Sequence, residues 1–139
     1  MFEKVLVAND GSEGGGRALS AAIAIAAQGN IPLHMICVEE LPNFPASIEE
    51  VVEEELDARH RYEAVVARVA AQAKAQGVGL KMHVVAGHAV AVICEFVQRE
   101  GFDLLVVGYM GHSALYNRVI GSTRDRLVEH AACNVLVIK

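Results

Sequence analysis

The 139 residues are the length of one ordinary domain. Seventeen acidic against 12 basic side chains leave a formal charge of -5, which argues against a nucleic-acid binder with its basic footprint. An apolar share of 53% against 21% charged excludes a disordered chain, and the longest nearly apolar stretch, 18–27, is half the roughly 20 residues that a membrane-spanning helix needs.

The first residues enter a strand pattern directly, without the features of a signal peptide. Val5-Leu6-Val7-Ala8 is a short apolar run that stops at Asn9-Asp10-Gly11. Residues 12–28 are Ala-rich with helical spacing and close at Gly29-Asn30, and 33–38 form a second strand. A loop with Pro42 and Pro45 follows over 39–46. Ser47 with Glu50 makes a capping box for a helix over 47–76, which Gly77-Val78-Gly79 ends. Strand three is expected over 80–86, a helix over 89–99 closing near Gly101, and strand four over 102–107. A last helix over 121–132 and a last strand over 134–138 complete the chain. Cys37, Cys94 and Cys133 are widely spaced, form no CxxC and sit in apolar sequence, which reads as buried thiols in a reducing cytoplasm.

Strands alternating with helices predict an α/β fold, with a five-stranded parallel sheet between two helical layers. Right-handed crossovers leave few topologies, of which we take strand order 3-2-1-4-5. The winding then reverses between strands one and four, and ligands of such sheets bind outside the carboxyl ends at that reversal.

The strongest functional signal begins there. Gly108, Gly111 and Gly121-Ser122 make the pattern G-x2-G-x9-G-S. Glycines after a buried strand let a backbone approach a ligand closely. Gly121 opens a helix whose first turn carries Ser122 and Thr123, where free N–H groups and the positive end of the helix dipole attract anions. Arg118, Arg124 and Arg126 add positive charge to an otherwise acidic chain. Polyphosphate is therefore the expected ligand of this end. A Walker A loop is excluded because the chain has no Gly-Lys dipeptide, and Gly11, Gly14, Gly15 and Gly16 do not spell G-x-G-x-x-G. Asp10 would repel a pyrophosphate. It suits the hydroxyls or exocyclic amine of a nucleoside, and it also reads as a turn and helix cap.

Taken together, the chain resembles the nucleotide-binding side of the universal stress protein family. The likeness is carried by Val5 to Ser12, by Leu33-His34-Met35, by the glycine signature and by Val135-Leu136-Val137-Ile138. It implies a Rossmann-like fold of the adenine nucleotide alpha hydrolase-like type. It also implies that ATP, or AMP or ADP, is the ligand. Asp10 would then contact adenine or ribose, Met35 would offer its backbone to adenine, and Gly87 would lie near the ribose. Gly108, Gly111, Gly121, Ser122 and Thr123 would bind phosphates, with Mg²⁺ carried by the nucleotide. His112 and Arg118 fall inside the signature. His88 and Asn134 stand where prolines are frequent in the family.

Little catalytic apparatus accompanies this pattern. His112 is the only titratable base in the signature, and Asp10 falls at the nucleoside end. A cytoplasmic, stress-responsive regulatory binder is expected, whose ligand orders residues 109–120. Two alternatives stay open: a slow ATP-hydrolysing or group-transferring enzyme, and an interaction module that uses no nucleotide. Eight acids and no base between 39 and 57 read as a solvated helix start or as a surface for a basic partner. The last strand would lie at a sheet edge, and pairing with a second copy would cover it, giving a homodimer. Neither a membrane nor a nucleic-acid partner is expected.

Overall fold

The computed structural model describes residues 1–9, 13–40, 47–109 and 123–139. The strands are β1 (Val5–Ala8), β2 (Leu33–Glu40), β3 (Leu80–Gly87), β4 (Leu104–Gly108) and β5 (Asn134–Ile138). The described helices are α1 (Glu13–Gly29), α2 (Ile48–Ala75), α3 (Ala89–Glu100) and α4 (Thr123–His130). All ladders are parallel and the order is β3-β2-β1-β4-β5, as expected.

The apolar runs are explained by cover on both faces. Alternation along β1 turns Val5 and Val7 to one side and Leu6 to the other, and none of the three is exposed. On the first side, α1 supplies Ala18, Leu19, Ala22, Ile23 and Ala26, and α2 supplies Val69 and Ala73. On the second side, Leu6 and Ile36 meet Ile93, Phe96 and Val97 of α3 and Leu127 of α4. Small alanines let α1 lie close to the sheet.

Three helices stop in the same way. Asn30, Gly77 and Gly101 take positive φ, and the next N–H reaches back five residues: Ile31 to Ala26 at 3.0 Å, Val78 to Ala73 at 2.9 Å and Phe102 to Val97 at 3.1 Å. This satisfies carbonyls left over at each helix end and turns an apolar residue inward just before the next strand, buried at Val78 and Phe102 and partly buried at Ile31. Ser47 caps α2 as its sequence predicts, accepting from the Glu50 N–H at 3.1 Å.

Several boundaries differ from expectation. β2 runs on through Glu39 and Glu40 because β3 continues beside it to Gly87. Phe102 and Asp103 precede β4 rather than opening it, and α4 ends at His130 rather than at residue 132. Only Cys37 is fully buried; Cys94 and Cys133 are partly exposed, and none of the three forms a disulfide.

Candidate functional site

β1 ends beside β4 where the winding reverses. Val5, Leu6 and Val7 lie level with Leu104, Leu105 and Val106, so continuing that register through Ala8 brings Asn9, just past the β1 tip, beside Gly108. The crevice predicted from topology therefore lies between Asn9 and Gly108. Gly108 is also level with Ile138 at the end of β5, and the Tyr109 N–H donates to the Ile138 carbonyl at 2.8 Å. This bond pins the first residue after the glycine.

Asn9 forms the floor on the β1 side. It is 6% exposed, its N–H donates to the Ile36 carbonyl at 3.1 Å, and its Nδ2 lies 3.6 Å from the Met35 sulfur. Met35 thus supports the crevice from below through its side chain. Met35 is unexposed and lies in mid-strand, level with Val7 on one side and Met82 on the other. The β1–β2 ladder ends at Ala8–Ile36, so the segment of β2 that passes beyond β1 is 37–40.

Gly87 closes β3 at the same end of the sheet. An added Cβ would come 2.6 Å from Val92 Cγ2, and its φ is +157°. The position therefore holds α3 close against the strand end. From β3 to β4 is three strand spacings, about 14 Å at 4.7–4.9 Å each. Thr123 opens α4 and is partly exposed. Asp10, Gly111, His112, Arg118, Gly121 and Ser122 lie outside the described residues.

One cluster at this end was not legible in the sequence. The Arg124 guanidinium donates through Nη1 to the Tyr109 carbonyl and through Nε to Asp125 Oδ1 at 3.0 Å, and it lies 4.4 Å from the Tyr109 ring centroid. Lys139 Nζ stands 5.3 Å from the same ring. Two cations thus gather on the residue that follows Gly108, in a chain of net charge -5. Arg124 was noted as a charge near the signature, but its pairing with Tyr109 spans 15 residues and follows no periodicity.

The histidine pair and the two partly exposed cysteines lie away from the strand tips. His34 Nδ1 and His83 Nε2 are 3.1 Å apart, with Phe102 edge-on to His34 and Phe96 tilted against His83. Burial, reinforced by the charge of His83, lowers the His34 pKa to about 4. Burial raises the pKa of Cys94, and burial with the Asp103 charge raises that of Cys133, so both favour the thiol. Among the described residues, no group of three His, Cys, Asp or Glu side chains is placed to hold a metal, and no helix is long and apolar enough to cross a membrane.

Residues 1–139 match the family model described as the Universal stress protein family. Universal stress protein MJ0531 of Methanocaldococcus jannaschii is 29% identical over 147 aligned positions, covering 100% of this chain and 83% of the relative. Universal stress protein UspA from Lactobacillus plantarum has the same fold with a TM-score of 0.82 at 27% identity, over 99% of this chain and 97% of that one. A universal stress protein solved in complex with cAMP has a TM-score of 0.76 at 25% identity, again over 99% and 97%.

Proposed function

The chain belongs to the universal stress protein family, and we propose that it binds an adenine nucleotide at the tips of β1 and β4 and works as a nucleotide-dependent switch. One observation carries this reading. The reversal of winding sets Gly108, the first glycine of G-x2-G-x9-G-S, beside the strand that leads into Asp10. A relative 25% identical, with the same fold, was solved with cAMP, which favours an adenine ring as the ligand's base.

The described residues suit such a ligand. Gly108 puts no side chain in the crevice, and Arg124 and Lys139 bring positive charge to its phosphate side. In this reading the base rests near Asp10 and the part of β2 beyond Ile36, with Gly87 toward the ribose. The phosphates meet Gly111, Gly121, Ser122 and Thr123, with His112 and Arg118 alongside. Mg²⁺ travels with the phosphates, and the Ser122 or Thr123 hydroxyl is its nearest protein partner. Nothing in the reading requires turnover, and the acidic balance favours a free nucleotide over a nucleic acid.

The signal then passes through residues 109–122, which join the phosphate side to α4. β5 occupies the sheet edge, has β4 as its neighbour and leaves Leu136 36% exposed, which suits pairing with β5 of a second copy. A cytoplasmic setting agrees with three cysteines outside any disulfide.

Titration calorimetry on the purified chain tests the reading. ATP or AMP is expected to bind at one site per chain with micromolar affinity, and Gly121→Val is expected to abolish binding with the circular dichroism unchanged. Absence of any heat with the intact protein at millimolar nucleotide would reject it. Phosphate release well above the buffer rate, lost in the Ser122→Ala, His112→Ala double variant, would make the protein an enzyme instead. Sedimentation is expected to give a dimer that Leu136→Pro breaks.

A further inference from the structure

We propose that the first half of α2 is a docking surface for a cationic amphipathic helix of another protein. α2 spans 28 residues, about 42 Å at 1.5 Å per residue, yet its described buried side chains, Val69 and Ala73, both lie in its second half. Every described side chain from 47 to 64 is exposed. Ile48, Val52 and Leu56 recur at intervals of four and stand 84%, 50% and 62% exposed. Three large apolar residues on one helical stripe, without cover, are the pattern of a helix that expects a partner. At 100° per residue Ile48 falls within about 60° of Val69 and Ala73 around the helix, and Val52 and Leu56 turn progressively away from them, so the stripe is a face of its own rather than part of the core-facing side.

Charge selects the occupant. Each residue of the stripe is followed by an acid: Ile48-Glu49, Val52-Glu53 and Leu56-Asp57. Helical geometry sets these three acids along one flank of the stripe. Glu49 and Glu50 sit in the first turn and answer the helix dipole there, but Glu53 and Asp57 lie past the reach of that effect. Residues 47–57 hold six acids and no base. A second copy laid on this segment would set six acids against six, so self-association through it is disfavoured. A partner helix with leucine-like residues at matching intervals and Lys or Arg on their flank satisfies both features. This surface is separate from the strand tips, and its use does not depend on nucleotide binding.

The test uses a fluorescent synthetic peptide of about 18 residues, long enough for roughly five turns, with Leu on one face and Lys elsewhere. It is titrated into the full chain and followed by anisotropy. Saturable binding is expected, weakening as salt rises. The Val52→Ser, Leu56→Ser double variant and the Glu49→Gln, Glu53→Gln, Asp57→Asn triple variant should each bind at least about tenfold more weakly. The triple variant should also lose most of the salt dependence. All five positions are on the exposed half of α2, so the fold is expected to stand, and circular dichroism checks it. Hydrogen exchange should slow over 48–57 when the peptide is present. The proposal fails if the peptide does not bind, if a Leu/Glu peptide of the same pattern binds equally, or if the variants bind as the original chain does. It also fails if sedimentation shows a dimer that Leu56→Ser dissociates, because the stripe would then be an interface between copies.

Discussion

Gly87→Ala probes how tightly the strand tips are built. The added methyl would sit 2.6 Å from Val92 Cγ2, where carbon atoms prefer about 3.5–4.0 Å. Val92 is β-branched on a helix and has one strongly preferred χ1, so it cannot swing aside freely. Relieving an overlap of about 1 Å by repacking costs about 1–3 kcal/mol. The φ of +157° adds about 1 kcal/mol for a residue with a side chain. The expected loss is about 2–4 kcal/mol, or roughly 6–12 °C in Tm for a chain of this size. Urea unfolding of the single variants and of Gly87→Ala, Val92→Ala together measures it. Removing Cγ2 should recover the steric part, giving a coupling energy of about 1–3 kcal/mol between the two sites. A Gly87→Ala loss under about 0.5 kcal/mol, or two losses that simply add, would refute the packing described for this turn.

Three further outcomes are expected. His34 titrates at about 4 in the folded chain against 6.5 ordinarily, so the unfolded chain binds the proton more readily. Stability should be full above about pH 6.5 and fall toward pH 4, by about 2–3 kcal/mol after allowance for residual hydration; His34→Asn should flatten that slope in urea titrations across this range. Asp103 accepts from the Glu3 N–H at 2.8 Å and the Lys4 N–H at 3.1 Å; Asp103→Ala should cost about 1–2 kcal/mol and speed amide exchange at residues 3–4. Arg124→Gln should weaken ATP about tenfold in calorimetry and leave adenosine unchanged, since the guanidinium stands on the phosphate side; an equal loss for both ligands would remove Arg124 from that role.

Much of the architecture was readable because burial on both faces writes the central strands β1 and β4 as unbroken apolar runs. Val5–Ala8 and Leu104–Gly108 are of this kind. With helices between them, handedness left few topologies, and the order chosen among them, 3-2-1-4-5, is the one observed. Where the two disagreed, burial and ladder pairing had parted company. Phe102 is 5% exposed yet sits in the turn after α3, packed on His34 and Phe96, while charged Glu39 and Glu40 are paired in β2. Of the site, the glycine spacing and the crevice were legible, since both follow from chain order. Contacts between distant positions were not. His34 meets His83 across 49 residues and Arg124 meets Tyr109 across 15, and no periodicity connects them. The side-chain contact of Met35 with Asn9 is likewise not legible, since it joins positions 26 residues apart.

A crystal structure of the chain grown with ATP and Mg²⁺ addresses the nucleotide site most directly. Density for the base and ribose is expected by Asp10 and the end of β2, with the phosphates between Gly108 and Ser122. Side chains filling the space between the β1 and β4 tips at saturating ATP, or a nucleotide bound elsewhere on the molecule, would contradict it.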